Sequence, residues 1–182
     1  MKLKRTIIFN SGFTVLAFIF LAGCARSNAS VYQYQYPAEE ADHAEDSKAV
    51  IHILESIHQG IQNNDLSVIL NHANKEKGIY IDLKAHKTYS ELTAQIKDKD
   101  SYLNTFFLNT DKLKKTTNSP DQISIKDILS AQKIINIELF YNKTYDECEA
   151  KLNLKKNKNL NYRLNNPYFI KVKNKWYIYR LM

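Results

Sequence analysis

The chain has 182 residues and a mass of 21.2 kDa, and 44% of its residues are hydrophobic and 25% charged. These proportions are typical of a folded globular protein and exclude a collagen-like, disordered or disulfide-rich chain. Because the chain has only four glycines, the composition also argues against a glycine-rich phosphate-binding loop.

The net charge of +7 is distributed unevenly. Residues 24–46 carry one basic and five acidic side chains, whereas residues 47–182 carry 22 basic and 14 acidic ones. Glu149 is the last acidic residue, and nine lysines and arginines follow it. The pattern predicts either a solvated basic surface or a face that attracts anions. We expect no nucleic-acid binding, because lysine outnumbers arginine by 22 to 4 and lacks arginine's bidentate recognition of phosphate.

The first 24 residues have the features of an export signal. Three basic residues, Lys2, Lys4 and Arg5, precede a mostly apolar run from Ile7 to Phe20. This run is interrupted by polar residues and is too short to span about 30 Å of hydrocarbon comfortably. A transient signal peptide is therefore favoured, with an uncleaved anchor helix as the alternative.

The apolar run ends in Leu21-Ala22-Gly23-Cys24, which matches the lipobox of bacterial lipoproteins at all four positions. The first 24 residues therefore resemble a lipoprotein precursor. The resemblance implies that the Cys24 thiol receives a diacylglyceryl group, that residues 1–23 are removed, and that the new amine is acylated, for example with palmitate. Two or three chains, at about 0.8 kcal/mol per buried methylene, make release from the membrane negligible. An ordinary secretory signal with a chance cysteine is the alternative.

The residue after the cysteine bears on localisation. In the lipoprotein family an aspartate there usually retains the protein at the inner membrane, and this chain has Ala25 instead. The resemblance therefore implies a lipid-anchored protein of the bacterial envelope, in the outer membrane if the cell has one. With Cys24 lipidated, Cys148 has no disulfide partner within the chain. Because Cys148 falls in a strand pattern on the face of Ala150 and Leu152, we expect it to be a buried structural residue.

Residues 25–46 lack a sustained apolar periodicity. We predict that residues 24–46 form the lipidated cysteine and a flexible tether, and that residues 47–182 form a single domain. The alternation of Tyr32, Tyr34 and Tyr36 leaves two other readings open, a strand docked on the domain and a contact with the membrane interface.

Within the domain, the first patterns predict helices. Ser47 is expected to cap a helix that runs to about Asn63, and Asp65 to cap a second, short helix. A turn then leads to a strand over Ile79–Leu83, on which Asp82 points outward.

Further along, Thr88 and Glu91 have the spacing of a capping box at the start of a helix. Residues 102–108 are ambiguous, and Ser124 is expected to begin a short helix. From Ile134 onward the apolar residues recur with a period of two, which indicates strands. The last two strands are predicted to form a hairpin joined by Asn174-Lys175.

Helices followed by strands predict an α+β domain, with N-terminal helices packed on a C-terminal, mostly antiparallel curved sheet. The element order and the aromatic hairpin from Phe169 to Ile178 resemble the nuclear-transport-factor-two-like superfamily. The resemblance implies a cone in which a curved sheet wraps a long helix. The polar, partly helical segment 112–132 departs from that pattern.

Enzymes of this cone fold place a histidine and an aspartate in the pocket. His58 lies on the apolar face of the first helix, where a hydrogen-bonded core histidine is more common than a catalytic one. His52 and His58 lie about 120° apart around the helix and cannot chelate one metal ion. Glu147 and Glu149 have a spacing that suits glycoside hydrolysis, but alternating acids usually form a solvent face. The remaining candidates are His72, His86, Asp82, Glu138 and Asp146.

We therefore predict no catalytic, cofactor or metal site. The predicted function is that of a non-enzymatic lipoprotein, anchored at Cys24, that binds an envelope protein or an anionic envelope component. One alternative is a degenerate hydrolase or isomerase that uses His58. The other is a binder of a small apolar ligand, enclosed by an aromatic lining of Tyr102, Phe106, Phe107, Phe140, Tyr168 and Trp176.

Overall fold

The computed structural model describes residues 31–34, 43–132, 134–154, 160 and 163–182. The predicted signal peptide, Cys24 and most of the predicted tether lie outside these residues. In the described part the fold is α+β, as the sequence predicts, with helices in the N-terminal part and most of the sheet in the C-terminal part. No helix among the described residues is both long and apolar enough to cross a membrane.

Six helices are present in this part of the chain, and the first is by far the longest. Its buried residues include Val50, Leu54, Ile57 and Ile61, which follow the helical spacing that the sequence shows. The helices are α1 Ala44–Gln62, α2 Val68–His72, α3 Tyr89–Lys97, α4 Tyr102–Leu108, α5 Thr110–Thr117 and α6 Ile125–Ser130.

The described strands form one mixed, mostly antiparallel sheet in the order β1-β4-β5-β6-β7-β2-β3. Strands β4 to β7 pair antiparallel in succession, while β1 lies parallel to β4 and β2 parallel to β7. The strands are β1 Val31–Tyr34, β2 Ile79–Tyr80, β3 His86–Lys87, β4 Ile134–Tyr141, β5 Glu147–Leu154, β6 Tyr168–Val172 and β7 Lys175–Arg180.

Strand β1 comes from the segment predicted to be a tether. Val31 pairs with Ile134, and the register continues to Tyr34 opposite Ile137. These four residues therefore adopt the docked-strand alternative, because backbone pairing covers the exposed edge of β4. Helix α1 also begins before residue 47, so the predicted boundary between tether and domain falls inside a helix.

Both predicted caps of the first two helices are wrong. Helix α1 begins at Ala44, and Ser47 lies fully buried inside it with its Oγ 3.0 Å from the Tyr141 hydroxyl. Because that oxygen bonds to the sheet, it does not cap the helix. The N-cap of α2 is Ser67, while Asp65 Oδ1 accepts hydrogen bonds from the Ser67 backbone and hydroxyl.

The predicted strand over Ile79–Leu83 is too long. It ends at Tyr80 because Asp82 Oδ1 accepts hydrogen bonds from the backbone N–H groups of Lys84 and Ala85, each at 2.7 Å. This side chain turns the backbone out of the sheet. The aspartate expected on a strand therefore belongs to a turn.

The final hairpin is predicted correctly except for its register. Lys173 and Asn174 form the turn, with φ angles of 49° and 64°, and Val172 pairs with Lys175. A two-residue turn with both central residues in the left-handed region matches the twist of antiparallel strands. The turn is thus one residue earlier than expected.

The core lies between the helices and one face of the sheet. Ile135, Ile137 and Leu139 of β4 are buried as predicted, and so is every second residue of β5 from Cys148 to Leu154. Helix α1 contacts β7, α2 and α6. The capping box of Thr88 and Glu91 and the Ser124 cap are also confirmed.

Candidate functional site

The histidine that the sequence singled out is a core residue. His58 is 3% exposed, and its Nε2 lies 3.1 Å from Gln62 Nε2, the amide of which in turn accepts a hydrogen bond from Ser130. Burial lowers the pKa of His58 to about 4. The imidazole is therefore neutral at physiological pH.

The other three candidate histidines lie apart from His58. His72 Nε2 lies 2.9 Å from Ser56 Oγ, and the ring contacts His52 edge to face at 6.2 Å. Burial, and then the charges of His52 and Lys175, lower the pKa of His72. His86 lies at the edge of the sheet, 2.8 Å from the Lys77 carbonyl. The structure does not gather these rings into one site.

The candidate carboxylates occupy turns and the exposed face of the sheet. Asp146 accepts from Asn142 and Thr144 in the β4–β5 turn, and Glu138 accepts from Asn153. Among the residues that the structure describes, no three His, Cys, Asp or Glu side chains are grouped closely enough to hold a metal ion.

The two acids on β5 are engaged by residues of β6, of β7 and of the segment before β6. Glu147 accepts a hydrogen bond from the Tyr168 hydroxyl at 2.7 Å, and Glu149 accepts from Asn166 and lies 3.7 Å from Arg180. Burial and then the contact with Glu147 raise the pKa of Tyr168 to about 12. The pair forms part of a polar network on the outer face, as the alternation of acids indicates.

The six aromatic residues expected to enclose a ligand do not meet around one cavity. Phe107 is fully buried, whereas Tyr102 and Phe140 are 49% and 54% exposed. Tyr102 stacks on Phe106 at 5.5 Å, while Trp176 contacts Tyr141 at the far end of β4. The prediction that these residues line one pocket is therefore wrong, because they lie on different elements and on different faces.

A polar cluster not predicted from the sequence joins the start of α1 to the final hairpin. Asp46 Oδ1 accepts hydrogen bonds from Lys171 Nζ at 2.7 Å and Trp176 Nε1 at 2.8 Å, and Oδ2 lies 3.6 Å from His43 Nδ1. Burial alone would raise the pKa of Asp46, but the bonds from Lys171 and Trp176 and the lysine charge lower it overall. We call these four residues the Asp46 cluster.

Aromatic rings extend this cluster along the end of the sheet. His43 stacks on Tyr145 with 3.6 Å between ring centroids, and Tyr145 stacks on Tyr141 at 5.3 Å. Because the Asp46 carboxylate is ionised and already holds two donors, it is a poor general base. The geometry is that of a link between helix and sheet.

A groove of about 440 Å³ lies between the loop after α2 and the β6–β7 hairpin. Ala73 bridges to Ile178 and so brings the loop beside β7. We call this depression the lysine–tyrosine groove. It is lined by Leu70, Asn71, Ala73, Asn74, Lys75, Glu76, Tyr89, Val172, Lys173, Lys175 and Tyr177.

The charges of the lysine–tyrosine groove favour an anion. Three of the residues that line it are lysines, and one, Glu76, is acidic. Lys75 Nζ stands 5.7 Å from the centre of the Tyr89 ring, and Lys175 Nζ stands 5.3 Å from that of Tyr177. Such cation–π contacts restrict the long side chains at exposed sites. The contacts therefore favour conformations in which the Lys75 and Lys175 ammonium groups lie beside the groove.

A second, smaller depression of about 270 Å³ is less suited to binding charged ligands. Tyr80, Leu83, Tyr168, Tyr179 and Arg180 line it. Its single cation is already engaged, because the Arg180 guanidinium donates two hydrogen bonds to the Asn166 carbonyl and stacks over the Tyr168 ring at 5.4 Å. The lysine–tyrosine groove is therefore the better candidate site.

One part of this groove could be predicted from the sequence. Lys173 and Lys175 belong to the run of cations after Glu149 that predicts an anion-attracting face, but Lys75 and Tyr89 lie about a hundred residues earlier. Only the fold shows that these segments meet. No protein-family model, no curated protein and no solved structure matches this chain.

Proposed function

We propose that this chain is a bacterial envelope lipoprotein, anchored by lipid at Cys24, whose α+β domain is a non-catalytic binding or accessory domain. The observation that carries the proposal is the tetrapeptide Leu21-Ala22-Gly23-Cys24, placed directly after a basic lead and an apolar run. The tetrapeptide stands where a lipoprotein signal must be cut, and the Cys24 thiol is the group that would receive the diacylglyceryl chain.

The position of the first strand supports a domain held close to the bilayer. Only six residues lie between Cys24 and Val31, the first residue of β1, so seven Cα-to-Cα steps join the two. Seven steps reach at most about 25 Å when fully extended. The sheet edge formed by β1 would therefore stay within that distance of the membrane surface, and the rest of the domain would face the envelope.

The groove supports a binding role for the domain. Its lysines are exposed and lie at the surface of a filled core, so a ligand can reach them without a change in the fold. His58, the centre of the enzymatic alternative, is buried and bonded to Gln62. The contacts described thus favour binding over catalysis.

Membrane fractionation of cells that express Cys24→Ala tests the anchor. We expect the wild-type chain in the membrane fraction, resistant to extraction by high salt, and the variant chain in the soluble fraction or retained as an unprocessed precursor. The intact mass of the mature wild-type protein should correspond to a chain that begins at Cys24 and carries two or three acyl groups.

Cys148→Ala is the matched control, because it removes the other thiol of the chain from a buried position. We expect it to remain acylated and membrane-bound. The proposal would be wrong if a Cys24→Ala chain that has lost residues 1–23 stayed as firmly bound as the wild type, or if wild-type protein isolated from membranes still began at Met1.

A further inference from the structure

We propose that the lysine–tyrosine groove binds an acidic polysaccharide, a carboxylated sugar chain of the envelope, at the end of the domain that faces away from the lipid anchor. This inference deepens the proposed function and rests on it for the position of the anchor. The binding chemistry of the groove itself depends only on the folded domain.

The first argument is charge. Lys75, Lys173 and Lys175 are all exposed, and they converge on one groove from two segments distant in sequence. None of the three forms an ion pair among those that the described residues make. Their positive field is opposed in the groove by Glu76 alone. Such a field raises the local concentration of anions.

The second argument is the mixture of polar groups around the charges. Asn71 carries a side-chain amide, and Tyr89 and Tyr177 carry hydroxyls. Asn74 is buried, and its Oδ1 accepts the backbone N–H groups of Glu76 and Lys77, so it shapes the loop. Lysine ammonium groups pair with carboxylates as point charges, while amides and hydroxyls can exchange hydrogen bonds with sugar hydroxyls. The groove contains no arginine for bidentate contact with phosphate. This set suits a carboxylated sugar better than a phosphodiester backbone.

The volume fits a short stretch of such a chain. Sites for small ligands have volumes of roughly 300–1,000 Å³, and this groove has about 440 Å³. It is open to solvent, so a segment of a polymer can reach its lysines from the protein surface. A few sugar units would lie between the loop of Asn74 and the hairpin of Lys173.

The third argument is placement relative to the anchor. Val31 enters the sheet beside Ile134, at the beginning of β4. The β6–β7 turn lies at the other end of the sheet. Tyr141, at the end of β4, pairs with Cys148 of β5. The Lys171 N–H of β6 donates to the carbonyl of Asp146, just before β5 begins, so β6 continues toward that same end.

This placement puts the groove and the anchored segment at opposite ends of the sheet. β4 has eight residues, which span about 24 Å along the strand. The groove thus lies at the end of the sheet opposite the point where the anchored segment enters. A polymer outside the membrane is favoured over the headgroups of the membrane that holds the protein.

The test titrates fluorescent polygalacturonate oligomers into the mature chain as isolated from cells, with or without acyl groups, in a neutral detergent. The groove variant combines Lys75→Gln, Lys173→Gln and Lys175→Gln. We expect it to bind at least about tenfold more weakly at low salt, and we expect the difference to shrink as salt screens the charges. Glu76→Gln, which removes the acid of the groove, should tighten binding.

The matched control combines Lys97→Gln, Lys99→Gln and Lys115→Gln, which cause the same loss of charge at exposed sites outside the groove. We expect it to bind within about twofold of the wild type, because attraction by net charge alone is weak beyond the screening length. Thermal unfolding of all variants shows that the fold is retained.

Four results would overturn the inference. The groove variant could bind like the wild type, or the control variant could lose as much affinity as the groove variant. A single-stranded oligonucleotide could bind as tightly through the same lysines, which would indicate a nucleic-acid site. Vesicles of phosphatidylglycerol could displace the sugar, which would indicate a headgroup site. Because detergent replaces the membrane, failure of the anchor at Cys24 would leave this measurement unchanged.

Discussion

Asp46 shows how one side chain can fix the position of the longest helix. Its carboxylate lies in the first turn of α1, where a negative charge is favoured by the helix dipole. The same carboxylate holds Lys171 and Trp176 of the final hairpin. Because Lys171 Nζ also lies 5.7 Å from the Trp176 ring centre, loss of the carboxylate would weaken several contacts together.

We expect Asp46→Asn to lower the free energy of unfolding by about 1–3 kcal/mol, since a hydrogen-bonded charge is removed and Lys171 loses its counter-ion. Chemical denaturation monitored by Trp176 fluorescence measures the change. Glu45→Gln is the matched control, because Glu45 is the neighbouring acid, is 88% exposed and bonds to the exposed Lys48. An equal loss in both variants would show that the helix dipole, and not the Asp46 cluster, accounts for the effect.

At the scale of elements, the sequence predicted correctly the helix starts and strand faces that depend on interactions between nearby residues. The capping box of α3 needs only Thr88, Glu91 and the backbone between them, and it forms as expected. The alternation on β5 follows from burial of one face. The starts of α1 and α2 were wrong because Ser47 bonds to Tyr141, 94 residues away, and because Asp65 bonds to Ser67 in a turn.

The ends of the strands also depend on side chains that bond to backbone N–H groups in place of a neighbouring strand. Asp82 could sit on a strand or close a turn, and its hydrogen bonds to two backbone N–H groups select the turn. In the final hairpin, Asn174 alone suggested where the turn lies. The turn lies one residue earlier than expected, because Lys173 adopts the left-handed conformation. Lysine has no special preference for that conformation, so the sequence did not indicate it.

The capping box gives a prediction for α3. Thr88→Ala removes the oxygen that accepts the Glu91 N–H, so we expect a loss of about 1 kcal/mol in the free energy of unfolding. Thr88→Ser keeps a hydroxyl in that position and should retain most of the stability. Equilibrium denaturation of the three proteins provides the comparison, and equal losses in Ala and Ser variants would contradict capping as the cause.

At the scale of the whole molecule, the candidate site depends on contacts that no local pattern contains. The lysine–tyrosine groove needs the loop after α2, the first residue of α3 and the β6–β7 hairpin to meet. The Asp46 cluster joins residues 125 or more positions apart. The sequence located the excess of positive charge but not the face on which the lysines converge, because convergence is a property of the sheet order.

The fold as a whole should be sensitive to acid in two separate pH ranges. The pKa of His58 is about 4 in the folded protein, against about 6.5 in an unfolded chain. The unfolded state therefore binds more protons, and stability present above pH 6.5 is lost as the pH falls from about 6.5 to about 4. The loss is roughly 3 kcal/mol. The pKa of Asp46 is lowered instead from the ordinary 3.8, so its contribution persists to lower pH and is lost as the pH falls through that lowered value.

Two variants separate these ranges. His58→Gln keeps a neutral group beside Gln62 and removes the buried imidazole, so we expect the fall in stability between pH 6.5 and 4 to become shallower, with a remaining slope from His72, the pKa of which is also lowered. Asp46→Asn should keep the wild-type slope in that range and make the profile below it less steep, with a remaining slope from Asp100 and Asp146, the pKa values of which are also lowered. Urea denaturation at a series of pH values measures both effects. Protonation of His58 places a charge on a core side chain that is only 3% exposed, which is why it should destabilise the fold. If His58→Gln kept the full slope above pH 4, the acid sensitivity would have to arise from other groups.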